Sequence, residues 1–222
     1  MPKAKISRPQ IIQASLQTLA SCQSLDQFSM RKVATALHID ASTIYWYFES
    51  KQAILQAMAD EIAAQISFPD ASLAWQTQLT QLFSTIFDVY TTHSHAAELM
   101  IATIPSSEVR LTLMNHIIGI LVSAGFSEEQ GSLALSTIDF FLTGLVMDLS
   151  KERQFRTAIN NKQAAYLHDQ VTQIHQITHD EHLVHMQNSV NNRSSQSAKQ
   201  QFEAGLKLIL KGLLTEKSVD LN

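Results

Sequence analysis

Between residues 29 and 51 the chain gathers side chains suited to holding a polyanion rather than to breaking bonds. Hydroxyl and ammonium groups donate hydrogen bonds to phosphate oxygens. A guanidinium can fork onto a guanine edge, and a small apolar group can touch a thymine methyl. On this chemistry Ser29, Tyr45, Tyr47 and Lys51 are candidates for phosphate contact. Arg31, Ala41, Ser42, Thr43 and Trp46 are candidates for base contact. The competing reading of the three aromatic residues is plain packing, and for Trp46 the two readings stand about level.

Other chemistries find less support. His175, His179, His182 and His185 recur at spacings that would put some of them on one helix face, as zinc ligands are. A polar, low-complexity stretch also accumulates histidine without function, and no metal is expected. No nucleophile–base pair, phosphate loop or metal dyad is evident. Asp180-Glu181-His182 has no partner motif that would build a carboxylate-bridged site. Catalysis and a bound cofactor are therefore not expected. Cys22 is the single cysteine, which rules out an intramolecular disulfide and fits a reducing, cytoplasmic setting.

These side chains need short, firmly capped helices to position them. Ser7 and Gln10 have capping-box spacing at the start of a helix over 8–21. Ser29 suits the N-cap of a helix over 30–36, Asp40 that of one over 41–47, and Ser50 that of one over 51–66. His38-Ile39 makes the turn between the second and third. Val33, Leu37, Ile39 and Ile44 form a small core there, and Ala34 lets the two helices approach. A short helix, a tight turn and a second short helix form the unit that seats one helix in a major groove. Phe68-Pro69-Asp70 is a break. Longer, more apolar helices follow over 72–92, 95–103, 106–124 and 127–152, and Ser127 with Gln130 makes a second capping box. Residues 153–195 are polar and weakly periodic; they read as a mobile segment with modest helices near 160–176 and 180–189. A strong amphipathic helix over 198–214 closes the chain.

Composition agrees with an all-α fold. Of 222 residues 45% are apolar and 16% charged, with 6 Gly and 4 Pro, so a sizeable core is available and breaks are few. Net charge is −4, but residues 1–51 carry six basic residues against three acidic ones. A positive head on an acidic body suits an end that meets phosphates. The longest apolar runs, Ile117–Val122 and Phe140–Val146, fall short of the ~20 residues of a membrane span, and no membrane partner is expected.

Ser29, Arg31, Ala34, Leu37, His38 and Ile39, followed by Thr43, Ile44, Tyr45, Tyr47, Phe48 and Lys51, resemble the N-terminal signature of the TetR family. That signature runs Thr-x-Arg-x-x-Ala-x-x-Leu-Gly-Val, then Thr-Leu-Tyr-x-His/Tyr-Phe-x-x-Lys. His38 departs from it, replacing the usual turn glycine. Trp75-Gln76, Thr103-x-Pro105, Gly125-Phe126-Ser127 and Phe202-x-x-Gly205-Leu206 are similar to the body of the tetracycline repressor subfamily. The resemblance implies three parts. Residues 1–50 would be a three-helix DNA-binding domain, 51–66 a connecting helix, and 67–222 a helical ligand-binding and dimerisation domain. The helices at 127–152 and 198–214 would pair with those of a second copy.

The same resemblance allows the subfamily's drug–magnesium pocket to be compared. Its polar positions appear here as Ala64, Leu82 and Ile86, and its metal-binding histidine position as Met100. A thioether is a poor ligand for Mg²⁺. The expected effector is therefore a largely apolar molecule other than tetracycline–magnesium. It would lie among Leu82, Phe83, Ile86, Met100, Thr103, Leu113, His116, Ile117, Phe140 and Phe141, oriented by His116 and Asp148. The function so implied is a homodimeric repressor on a palindromic double-stranded operator, released by that effector. An activator or an effector-independent regulator remains the alternative, and a helical interaction protein or an enzyme a more distant one.

Overall fold

The computed structural model describes residues 6–161 and 164–219, and among these it contains helices and no strand. The head comprises α1 (Arg8–Ala20), a single 3-10 turn (Leu25–Gln27), α2 (Met30–Ala36), α3 (Ala41–Tyr45) and the connecting α4 (Lys51–Ala63). The body comprises α5 (Trp75–Thr92), α6 (Ala96–Ile101), α7 (Glu108–Ser123), α8 (Glu128–Asn160), α9 (Ala165–Asp180), α10 (Val184–Ser195) and α11 (Ala198–Val219).

The caps read from sequence form. Ser7 and Gln10 close a capping box on α1, and Ser127 and Gln130 close one on α8. The Ser29 and Ser50 hydroxyls accept the Lys32 and Ala53 amides. Asp40 is the exception, since its side chain makes no cap bond. Each satisfied cap supplies an acceptor to an amide that the helix cannot pair, worth about 1 kcal/mol.

Most boundaries fall within about three residues of expectation, and two of the differences matter here. α3 ends at Tyr45, with Trp46 at its cap and Tyr47 in the following turn. α8 runs to Asn160, past the expected end at 152, carried by good helix formers and by Arg156 paired with Glu152 one turn back at 2.6 Å. Residues 165–195 form α9 and α10, separated at His182, whose backbone turns left-handed (φ 52°).

α11 docks on the body through Phe202, which is fully buried and stacks between Phe87 (ring centroids 4.7 Å apart) and Phe141 (5.9 Å). Close approach here needs Gly205: a Cβ at that position would lie 2.2 Å from the tip of the Phe141 ring. α8 is long and apolar enough to cross a membrane by length and composition alone. In the fold, Leu135, Ile138, Leu142 and Val146 bury one stripe of it in the protein core, while Leu133 and Phe140 stay exposed.

Candidate nucleic-acid interface and body cavity

The head is small but well filled. Ile11, Leu19, Phe28, Val33, Ile44, Phe48, Ile54 and Met58 are all buried. Ala34 is buried where α2 meets α3, while Leu37 and Ile39 are half-buried against the same core. The turn is tight: the Leu37 and Ile39 amides donate to the Val33 and Ala34 carbonyls at 3.0 Å each. His38 adopts φ 54°, the left-handed conformation its position demands and which histidine tolerates at some cost.

This core presents Arg31, Ser42, Tyr45 and Trp46 to solvent, with Trp46 88% exposed and without cover from the chain. Ala41 and Thr43 are half-buried beside them. The remaining candidates hold bonds within the head. The Ser29 oxygen accepts the Lys32 amide at 3.3 Å, and its proton stays available for a phosphate. Lys51 donates to the Leu25 carbonyl at 3.3 Å and sits over the Phe28 ring, leaving two ammonium protons. The Tyr47 hydroxyl donates its single proton to the Ile6 carbonyl. It ties down the segment before α1, and a donated bond from Tyr47 to phosphate requires this one to exchange. Arg8, which the sequence did not single out, stacks over Phe48 at 4.5 Å beside this tether.

Several contacts bind the head to the body. The Gln52 carboxamide donates to the Ala102 carbonyl at 2.8 Å. Gln56 pairs with both the carbonyl and the amide of Ile104. Ser107 donates to Asp60 at 2.7 Å. The loop between α6 and α7 thus lies along α4. His95 adds a further link: its ring joins the Cys22 carbonyl and the Glu98 carboxylate, each at 3.0 Å.

Behind that loop is a cavity of about 610 Å³ within the body. Phe83, Ile86, Met100, Leu113, Ile117 and Phe140, expected on its wall, line it. Other expected residues lie elsewhere. Leu82 is fully buried in the core, and Phe141 packs against Phe202. Thr103 is buried and accepts a bond from Arg110 at 2.9 Å. His116 packs its ring, tilted, 4.3 Å from that of Phe68, and among the described residues its buried Nε2 has no hydrogen-bond partner. Asp148 is exposed and ion-pairs with Arg193. Neither of the two expected orienting residues therefore reaches the cavity.

The polar groups that do reach it are Tyr90, Arg110 and Asp139, together with Ser132, Ser136 and Thr143. Arg110 is buried and donates to the Thr103 hydroxyl and the Ile104 carbonyl through Nη1, with a longer 3.5 Å contact from Nη2 to the Met100 carbonyl. Asp139 lines the hollow with its side chain still partly open to solvent; the protein packed around its carboxyl displaces enough water to push it above the usual range, and Arg110 partly opposes the shift. Burial likewise pushes the Tyr90 hydroxyl up, and Asp139 adds to it. A charge on the buried stripe of an amphipathic helix was the available signal: Arg110 falls in register with Leu113, Ile117 and Leu121.

The four exposed histidines at 175, 179, 182 and 185 do not converge, and among the described residues no group of three or more His, Cys, Asp or Glu is gathered.

Comparison with known proteins agrees with this architecture. The family model for bacterial regulatory proteins of the tetR family matches residues 11–58, and that for the tetracyclin repressor-like C-terminal domain matches 68–217. Among curated relatives, the tetracycline repressor protein class D of Escherichia coli is 27% identical over 165 residues, 73% of each chain. Among solved structures, the ActR protein of Streptomyces coelicolor in complex with actinorhodin superposes with a TM-score of 0.76 at 21% identity, covering 96% of this chain and 99% of that one. BioQ bound to its double-stranded DNA operator superposes at 0.60 with 26% identity, covering 72% of this chain and 99% of that one.

Proposed function

This chain belongs to the TetR family of bacterial regulators, and on that premise we propose that it is a cytoplasmic, homodimeric repressor whose hold on a palindromic operator is released by a small, largely apolar effector. The observation that carries the reading is the continuity between cavity and head. Arg110 lines the cavity and holds the Ile104 carbonyl, Gln56 of α4 holds the same peptide, and α4 begins at the end of the DNA-facing turn. A ligand that shifts this loop shifts the angle of the head. Two heads must sit about 34–36 Å apart to occupy successive major grooves, so a small change of angle in each disfavours the bound form.

Symmetry follows from the exposed apolar surface. Leu133 and Phe140 on α8 and Leu208 on α11 are exposed, and Gly144 and Gly212 have open space where a Cβ would stand. A second copy packed across α8 and α11 covers that surface and makes the operator two-fold. The occupant of the cavity is not tetracycline–magnesium: Met100 supplies a thioether on the cavity wall, and among the described residues the hard cation would find the single carboxylate of Asp139 there and no imidazole. The base contacts are assigned to Arg31, Ala41, Ser42, Thr43 and Trp46, with Ser29, Tyr45, Tyr47 and Lys51 holding phosphates and setting register.

Selection from a pool of random duplexes tests the reading. The expected product is a pseudo-palindrome with half-sites about one helical turn apart. A pool that remains random after repeated rounds overturns it. Enrichment of a single, unrepeated half-site removes the dimer alone.

A further inference from the structure

We infer that the effector of this protein is an apolar, ring-bearing molecule carrying one acidic group, and that its ionised oxygen is received by Arg110. The inference rests on the reading of the body cavity as the effector site. It starts from an imbalance. Arg110 is a buried guanidinium, and the acceptors it has are neutral: the Thr103 hydroxyl and the Ile104 and Met100 carbonyls. Among the described residues no carboxylate lies within ion-pair distance of it. A buried cation without a counter-ion is costly, and its burial already works against the charge, offset in part by the fields of Tyr90, Asp60 and Asp139. Of its five N–H donors, both on Nη1 are used and Nη2 makes one long contact. The Nε–H and the other Nη2–H are left, and these two form the edge that a carboxylate engages side-on.

The surroundings narrow the class further. The wall is mostly apolar and aromatic, with Phe83, Ile86, Leu113 and Phe140, which favours a ring system over a sugar or nucleotide. The Tyr90 hydroxyl lines the same hollow and has no hydrogen-bond partner among the described residues, so it can donate to the same ligand oxygen. Asp139 sets a limit. A second negative group would meet its carboxyl, so one acidic group is accommodated and a dianion is not. An anion on that edge sits on the same guanidinium whose Nη1 holds the Ile104 carbonyl, which places the charged end of the ligand near the loop held by Gln56.

The test uses a matched pair of fluorescent probes, 9-anthroate and its neutral isostere 9-anthracenecarboxamide, titrated into the full-length protein. The expected result is about tenfold tighter binding of the carboxylate, the scale of a charge-assisted pair. Arg110→Gln should abolish that preference while the carboxamide affinity stays within about twofold. Asp139→Asn should tighten the carboxylate further and leave the carboxamide unchanged, and this arm still decides if Arg110→Gln does not fold. Equal binding of the two probes to the native protein, or a preference that survives Arg110→Gln, overturns the inference and leaves the cavity as a ligand site. Binding of neither probe overturns the cavity reading itself, and the inference with it.

Discussion

The carboxamide of Gln56 grips the backbone of one residue on both sides: Nε2 donates to the Ile104 carbonyl, and Oε1 accepts the Ile104 amide at 3.2 Å. Head and body are joined at this point by a pair of bonds, flanked on α4 by those of Gln52 and Asp60. Gln56→Ala is expected to lower stability by about 1–2 kcal/mol. It should also speed hydrogen exchange of the Ile104 amide severalfold while α2 and α3 amides keep their protection. Urea denaturation and exchange measured by NMR check this; unchanged exchange at Ile104 shows that the pairing is not maintained in solution.

Trp46 separates recognition from folding. Being 88% exposed, it contributes little to the core, so Trp46→Ala should shift stability by less than about 0.5 kcal/mol. Its loss should nonetheless weaken duplex binding about tenfold, by removing a large contact surface at the end of α3. Tyr47→Phe is expected to differ: it removes the bond to Ile6 and should loosen the segment before α1. Anisotropy titrations alongside thermal melts distinguish the two.

The two glycines on α11 should respond in opposite directions. Gly205→Ala places a methyl 2.2 Å from the Phe141 ring, which is already stacked on Phe202, and should cost about 1–3 kcal/mol. Gly212→Ala meets nothing within the protomer and improves helix propensity by about 1 kcal/mol. If the Gly212→Ala protein is instead destabilised, and the loss grows on dilution, then Gly212 lies against a second copy.

Asp139 gives a pH signature. Its carboxyl is raised in the folded protein, so the folded state holds the proton more tightly than the unfolded chain. Stability from this group is therefore present below the ordinary value of 3.8 and is lost as pH rises from there through the raised folded value. Asp139→Asn should remove that decline and leave a protein more stable than the native one at neutral pH. Urea midpoints between pH 4 and 7 provide the comparison, and parallel pH profiles for the two proteins contradict the assignment.

Much of the head was legible because its signals are local. Ser7, Ser29 and Ser50 each sit where a free amide needs an acceptor, and the Val33–Ile44 core follows from helical spacing. The end of α3 was misjudged by two residues, since the chain leaves the helix to bring Tyr47 to Ile6, a contact 41 residues away in sequence. The cavity was half legible. Phe83, Ile86, Met100, Leu113, Ile117 and Phe140, expected there from the resemblance, line it from four helices. Its polar groups were assigned to His116 and Asp148, because resemblance pointed there, whereas three helices bring Tyr90, Arg110 and Asp139 together by a geometry that pairwise spacing does not encode. The break between α9 and α10 was expected near 177–179 and falls a few residues later, because a histidine, not a glycine or proline, takes the left-handed turn at position 182.

The most direct test of the account is equilibrium binding of the purified protein to duplexes recovered from its own chromosome, followed by anisotropy from about 50 to 200 mM salt. The account predicts two protomers per duplex, affinity falling steeply with salt, and at least a tenfold loss with Trp46→Ala. Affinity for every fragment no better than for competitor DNA, or binding by a single protomer that is indifferent to changes in α3, would contradict it.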